Sequence, residues 1–203
     1  MTPAGPLILP FAGRLPRIDP TAFLAPGVVV IGDVEIGAYA NLWFNVVVRG
    51  DDGPIHIGAG ANIQDGTIVH VSLDGEEVVP TWIGDGVAIG HLALLHACRL
   101  ADGAFVGMKA CVMDRAVVES GAMVAAGAVL TPRKQVGAGE LWSGTPARYV
   151  RPVKPEEAAY MRWVQQHYLK RAEEYRAQFG GARRTMTVEE INAAAAAGWA
   201  GER

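Results

Sequence analysis

Aliphatic residues recur along this chain at every sixth position. They fall at Ile36, Leu42 and Val48, at Ile57, Ile63 and Val69, and at Ile83, Ile89 and Leu95. An unbroken series then runs through Leu100, Val106, Val112, Val118, Val124, Leu130 and Val136. A small or polar residue usually follows: IG at 36–37, 57–58, 83–84 and 89–90, and VG at 106–107 and 136–137. A fixed short period of this kind marks a solenoid. A sandwich of ordinary strands would instead show alternation within longer strands and turn signals every ~8–12 residues. The pattern predicts a parallel β-helix in which each hexad supplies a short strand and a corner, and three hexads close a triangular coil. The aliphatic residue fills the interior, and glycine and other small residues are expected to permit the tight corners. Coils stack at the strand spacing of ~4.8 Å, and stability comes from nearest-neighbour stacking.

Hexapeptide repeats of this type resemble those of left-handed β-helices, an exception to the right-handed crossover rule. The expected class is therefore all-β, a left-handed parallel β-helix over residues 1–152. Two insertions interrupt it, GDDGPIH at 50–56 and SLDGEEVVPTW at 72–82, and both are expected to project as loops. After Pro152 the pattern changes, and residues 153–179 are expected to hold a C-terminal α-helix over 155–179, opening with Pro155 and two glutamates in its first turn. Tyr160, Trp163, Val164, His167, Tyr168, Arg171 and Tyr175 recur at helical spacing and predict a face that packs on the β-helix or a neighbour. Residues 180–203, with an alanine run, are expected to form a flexible tail.

Half of the 203 residues are hydrophobic but only 7% are aromatic, so the core must be built from small and β-branched side chains. A net charge of −3 makes no case for nucleic acid or an anionic membrane surface. Cys98 and Cys111 form no CxxC pair and no disulfide framework, and the N-terminal stretch lacks the basic start of a signal peptide. A cytoplasmic setting is the resulting expectation.

Stacking the coils turns the repeat into a map of candidate chemistry. Counting from each third hexad (Val48, Val69, Leu95), the residues that follow are Arg49, His70 and His96, a vertical column. Each comes after an inward aliphatic residue, so each side chain should point outward. His70 and His96 then sit about one strand spacing apart, ~4.8 Å, close enough to share a metal. His91 stands in the preceding hexad, near a corner, and is better placed to complete a site on a neighbouring subunit around a threefold axis. Three imidazoles with no cysteine nearby suit Zn2+ in an open, catalytic coordination. Fe2+ and Co2+ are also compatible with such ligands.

The runs VVVRGDDGPIHIGAGANIQDGTIVH (46–70) and IGHLALLHAC (89–98) resemble the gamma-class carbonic anhydrases and their bacterial homologues, over about residues 20–178. The resemblance implies a homotrimer with a metal at each subunit interface, His70 and His96 coming from one chain and His91 from the next. It implies that Arg49 and Asp51 form an intersubunit ion pair, and that Gln64 orients the reacting water. Asn62 and Asp65 match the same motif as supporting residues, although turn or capping roles also suit them. The implied reaction is hydration of CO2 to bicarbonate. Asp52 stands where the archetypes carry a glutamate that exports the proton. Tyr168 resembles a tyrosine found near the metal in homologues with a short loop.

The chain departs from the archetype after His70. There the archetype has a long acidic loop with a proton-shuttling glutamate; here the loop is short and Leu73 takes that place. Asp74, Glu76 and Glu77 lie nearby and read as a solvated turn. Slow hydration, another metal-assisted hydrolysis such as acyl-CoA thioester cleavage, and a non-catalytic assembly role are the alternatives. Arg162, Lys170 and Arg171 are the cations a coenzyme pocket could use.

Overall fold

In the computed structural model, which describes residues 5–179, short parallel strands wind into a left-handed β-helix of about eight turns, followed by one α-helix. The expected tail over 180–203 lies outside the described residues. All sixteen aliphatic positions of the six-residue pattern point inward: Ile36 is 2% exposed and the others are wholly buried. A second inward position lies two residues earlier and is filled by small side chains, such as Ala61, Ala93, Ala104, Ala110, Ala116 and Ala122. One large and one small residue per hexad fill the narrow bore at interior packing density.

The corners use a different position from the one expected. Except before Ile36, Ile57 and Ile83, the residue three before the inward aliphatic carries the left-handed backbone, as at Gly60 (φ +63°) before Ile63 and Gly103 (φ +68°) before Val106. The glycines of the IG and VG pairs have no such φ. All but Gly137 sit where coils touch: a Cβ added to Gly107 would lie 2.7 Å from the carbonyl carbon of Ala125 on the next coil.

Three faces result. One carries Ile68–His70, Leu94–His96, Cys111–Val112 and Val129–Leu130, paired in parallel. A second carries Thr81–Ile83, Arg99–Leu100, Val117–Val118 and Gln135–Val136. The third runs from Phe23–Leu24 through Asn62–Ile63 and Ala88–Ile89 to Glu140–Gly144. The first two faces belong to one sheet because Val47–Ile57 continues as a single strand from one to the other. Within residues 50–56, Gly50, Ile55 and His56 pair with Gly32, Val34 and Glu35 of the preceding coil, and the inserted residues 51–54 bulge from the strand opposite the single residue Asp33. The second insertion does project, as an antiparallel hairpin of Ser72–Asp74 and Glu77–Val79.

The helix Pro155–Phe179 lies on the third face, where it contacts Asn41–Leu42, Asn62–Ile63 and Ala88–Ile89. Its buried side chains are Met161, Val164, Leu169, Ala172 and Arg176, with Tyr168 and Tyr175 partly buried. Tyr160 and Trp163, expected on the packed face, are each 54% exposed. They stack with His167 along the surface instead (Trp163 to His167, 4.8 Å between centroids). Aromatic residues at 3–4 spacing satisfy each other there, because the stripe runs beside the buried one. No helix among the described residues is long and apolar enough to cross a membrane.

The helix start is held by Glu157. It accepts two hydrogen bonds from Arg151 (2.7 and 2.8 Å) and one from the Lys154 amide (2.9 Å), half of a capping box. The Arg151 guanidinium, followed by that amide, pulls its carboxyl down to about 2. A carboxyl lowered on folding stabilises the fold above its unfolded value of about 4.5 and loses that contribution as pH falls toward 2. Carbon-13 NMR of the Glu157 carboxyl is expected to show a midpoint near 2, returning toward the ordinary range in Arg151→Met. An ordinary midpoint in the unsubstituted chain would disprove the clamp.

Candidate metal centre

The repeat determines which residues meet on the first face. Arg49, His70 and His96 are in register on adjacent strands, each following a buried aliphatic residue and projecting outward. His70 Nδ1 lies 3.3 Å from His96 Nε2, with the ring centroids 5.2 Å apart. Two nitrogens that share a tetrahedral metal at bond lengths of about 2.0–2.1 Å must stand about 3.3–3.4 Å apart. The pair therefore fits two vertices of such a site without rearrangement.

His91 stands at a corner, immediately before Leu92, whose backbone is left-handed (φ +61°). Among the described residues the three imidazoles do not gather within 4.8 Å of one another. The His91 ring is held from both sides of its edge, by Asp65 at Nδ1 (2.8 Å) and by the Tyr168 hydroxyl at Nε2 (3.4 Å).

A carboxylate meets one ring nitrogen of each of these histidines. Asp51 lies 3.1 Å from His70 Nε2, Asp65 lies 2.8 Å from His91 Nδ1, and Asp114 lies 3.0 Å from His96 Nδ1. Such a partner selects the tautomer, makes the ring a better donor and leaves the other nitrogen as the lone-pair side. The nitrogens left over are His70 Nδ1, His91 Nε2 and His96 Nε2, and those of His70 and His96 face each other. This donor set fits a divalent transition metal.

Burial works to raise the carboxyls of Asp51 and Asp114. Hydrogen bonds from His70 and Arg49 to the first, and from Ser72 and His96 to the second, outweigh it and hold both below the ordinary carboxylate range. Arg49 donates to Asp51 within the same chain, two residues along the same strand face. Asp52 is exposed, with a carboxylate oxygen within 4.8 Å of ligand atoms on Asp51 and His70.

Gln64 lies on the neighbouring face and is 6% exposed. It is the end of a buried chain of polar groups. The Trp43 indole N–H and the Asn62 amide both donate to the Asn41 side-chain oxygen, and Gln64 Nε2 donates to the Asn62 side-chain oxygen (3.0 Å). Asn41 and Asn62 stack in register, so Asn62 orients an amide rather than capping a turn. Tyr168 packs edge-on against Trp43 (5.2 Å), and burial followed by the Asp65 charge raises its phenol.

The residue that sequence reasoning passed over is Asp114. Coil counting that stacks His96 on His70 continues to the strand Cys111–Val112, and a carboxylate just past that strand was the available signal. Asp74 and Glu77 are exposed at the hairpin turn, as expected, and Arg115 donates to both, at 3.0 and 2.7 Å. Leu73 is half exposed on the hairpin.

No family model matches the chain. It is 43% identical over 163 residues to gamma carbonic anhydrase 2, mitochondrial, of Arabidopsis thaliana, covering 79% of this chain and 58% of that protein. The chain thus spans about three fifths of the length of that plant relative. A carbonic anhydrase of Geobacillus kaustophilus is 36% identical over 171 residues, covering 84% of this chain and 92% of the relative. The carnitine operon protein CaiE of Escherichia coli is 39% identical over 158 residues, covering 78% and 79%. A solved hexapeptide transferase family protein from Anaplasma phagocytophilum superposes with a TM-score of 0.79 at 46% identity, covering 83% of this chain and 98% of that one. A hexapeptide β-helix carrying outward imidazoles backed by carboxylates defines the class. The chain belongs to the gamma-class carbonic anhydrase-like family of hexapeptide-repeat proteins, whose members imply a metal cofactor.

Proposed function

We propose that this protein hydrates CO2 to bicarbonate at metal sites shared between adjacent subunits of a homotrimer. The observation that carries the reading is the set of three imidazoles, each with a carboxylate on one ring nitrogen, two of them 3.3 Å apart and the third held away at a corner. His70 and His96 of one subunit and His91 of another would hold the metal, with Zn2+ the first candidate and Fe2+ or Co2+ the others. The chemistry such an ion supplies when bound is a water whose pKa falls to about 7, a nucleophile at neutral pH.

The chain's own residues supply the rest. Asp51, Asp65 and Asp114 keep the ring protons on the nitrogens that face away from the metal. The Asn41–Asn62 amides hold Gln64 by its nitrogen, which preorganises its carboxamide toward the reacting water. Ile68 and Leu94, in register with each other and exposed, flank the imidazole column on the same face. An apolar flank suits a small uncharged substrate and a neighbouring subunit's apolar surface. Asp74 and Glu77 are tied to Arg115, which removes both from the role of the archetypal shuttle. Asp52, exposed beside His70, is the acid assigned to export protons, and slow turnover is expected.

Stopped-flow CO2 hydration on metal-reconstituted protein, with Zn2+ and with anaerobic Fe2+, tests the activity. Acyl-CoA thioester cleavage by the same preparations, without hydration, would replace this reading with the hydrolase alternative. The shared site is tested by mixing His70→Ala and His91→Ala chains. Each alone is expected to hold no metal, whereas mixed trimers regain about one site wherever the two intact half-sites meet. No recovery on mixing would overturn the shared site.

A further inference from the structure

The hairpin of Ser72–Asp74 and Glu77–Val79, within the 72–82 insertion, turns three of its polar side chains to two successive residues, Asp114 and Arg115. Ser72, two residues after His70, lines the same cleft as Asp114, and its hydroxyl is among the groups that hold the Asp114 carboxyl low. The same carboxylate meets His96 Nδ1 at 3.0 Å. The next residue, Arg115, closes the far end of the hairpin: it donates to Asp74 at 3.0 Å and to both Glu77 oxygens at 3.1 and 2.7 Å. Between these contacts lies a cleft of about 290 Å³ lined by Ser72, Asp114 and Arg115, so polar contacts hold this side of the hairpin, while Val79 anchors it by burial. Thr81 donates to the His70 carbonyl at the hairpin's other root.

We infer that the 72–79 hairpin is a positioning element for His96, acting through Asp114. Ser72 and His96 share one carboxylate, and the Arg115 latch keeps Ser72 where it can take its share. Asp114 is thereby held in one orientation, with an acceptor on His96 Nδ1 and the His96 Nε2 lone pair facing His70. Loop and column are linked twice, by the chain through His70 and by Asp114 through His96. The insertion orders the pair of imidazoles where the archetype's loop carries protons. This rests on the proposed metal site for its purpose, but the positioning itself is a property of the metal-free chain.

Two readouts on the full-length protein test it. Nitrogen-15 NMR of metal-free protein reports the His96 tautomer, and competition against a chromogenic chelator reports Zn2+ affinity. In the unsubstituted chain the Nδ1–H form of His96 is expected to predominate. Asp114→Ala should release it to a mixture and weaken Zn2+ binding by about 10–100-fold, the usual effect of removing an outer partner of a ligand. Asp114→Asn, which keeps the shape and one acceptor, should fall between. Arg115→Gln touches neither imidazole, so a purely local role for Asp114 would leave the tautomer unmoved. A shift of the His96 signals together with faster amide exchange over 72–79 in that variant is the expected result. An unchanged tautomer and unchanged affinity in Asp114→Ala would overturn the inference. A tautomer that responds in a protein that binds no Zn2+ would support the positioning and overturn the proposed function instead.

Discussion

His96→Ala is expected to strip the protein of metal and reduce CO2 hydration to the buffer background. His96 contributes one of the two nitrogens that already stand at the spacing of a tetrahedral edge, so its loss leaves His70 with no intrachain partner imidazole. Zn2+ affinity should weaken by well over the ~100-fold that marks the upper end for loss of an outer partner. The fold should survive, because the side chain points outward and is about one third exposed, while the buried Leu95 beside it is untouched. His56→Ala is the matched control. That ring stacks on Trp82 on another face (3.9 Å between centroids) and should leave metal content unchanged. Elemental analysis with circular dichroism decides the matter: a folded His96→Ala protein that keeps its metal rules out His96 as a ligand.

The second large effect concerns the stack itself. Gly107→Ala is expected to destabilise the fold by about 3 kcal/mol, because overpacking against backbone that cannot give way costs at the top of the usual range. The added Cβ would meet the Ala125 carbonyl carbon and Ala126 Cα at 2.7 Å, and both belong to the next coil's backbone. Relief requires two coils to part and weakens the hydrogen bond from Gly107 N to Val124 O (2.7 Å). Gly127→Ala separates this effect from ordinary corner strain. Gly127 has φ +69° and no atom within 4 Å of an added Cβ, so its cost is the backbone penalty alone, about 1 kcal/mol. Urea melts of the two variants should differ in midpoint in that order; equal midpoints would show that the coils are not in contact at Gly107.

The fold was legible because a β-helix is nearly one-dimensional. A six-residue period of aliphatic residues leaves little choice about what faces inward, and the same period stacks His70 on His96 once the coils are counted. The class of chemistry followed from the residues of that column and from their resemblance to a known family. Residue 107 was also marked by the sequence as glycine, but its purpose was misread, since close approach between coils and a corner φ both call for glycine.

Other features depended on side chains meeting across coils and on backbone running past a corner. The period cannot tell that Val47–Ile57 continues as one strand, because a bulge within a strand and a loop between two strands break the count equally. Two aromatic stripes one residue apart look alike in helical spacing, and only packing on Asn41–Leu42 and Ala88–Ile89 selects Val164 and Tyr168 over Tyr160 and Trp163. Asp114 belongs to this group as well. It reaches His96 only after a slip in the count between Leu95 and Leu100, and it shares Ser72 with a hairpin whose course no repeat describes. The sequence alone thus determined the inward stack, the outward imidazole column and the family. The tertiary structure decided which carboxylate backs each imidazole and what the hairpin holds, because hydrogen bonds depend on ångström-scale direction, whereas burial depends only on which side of the strand a residue faces.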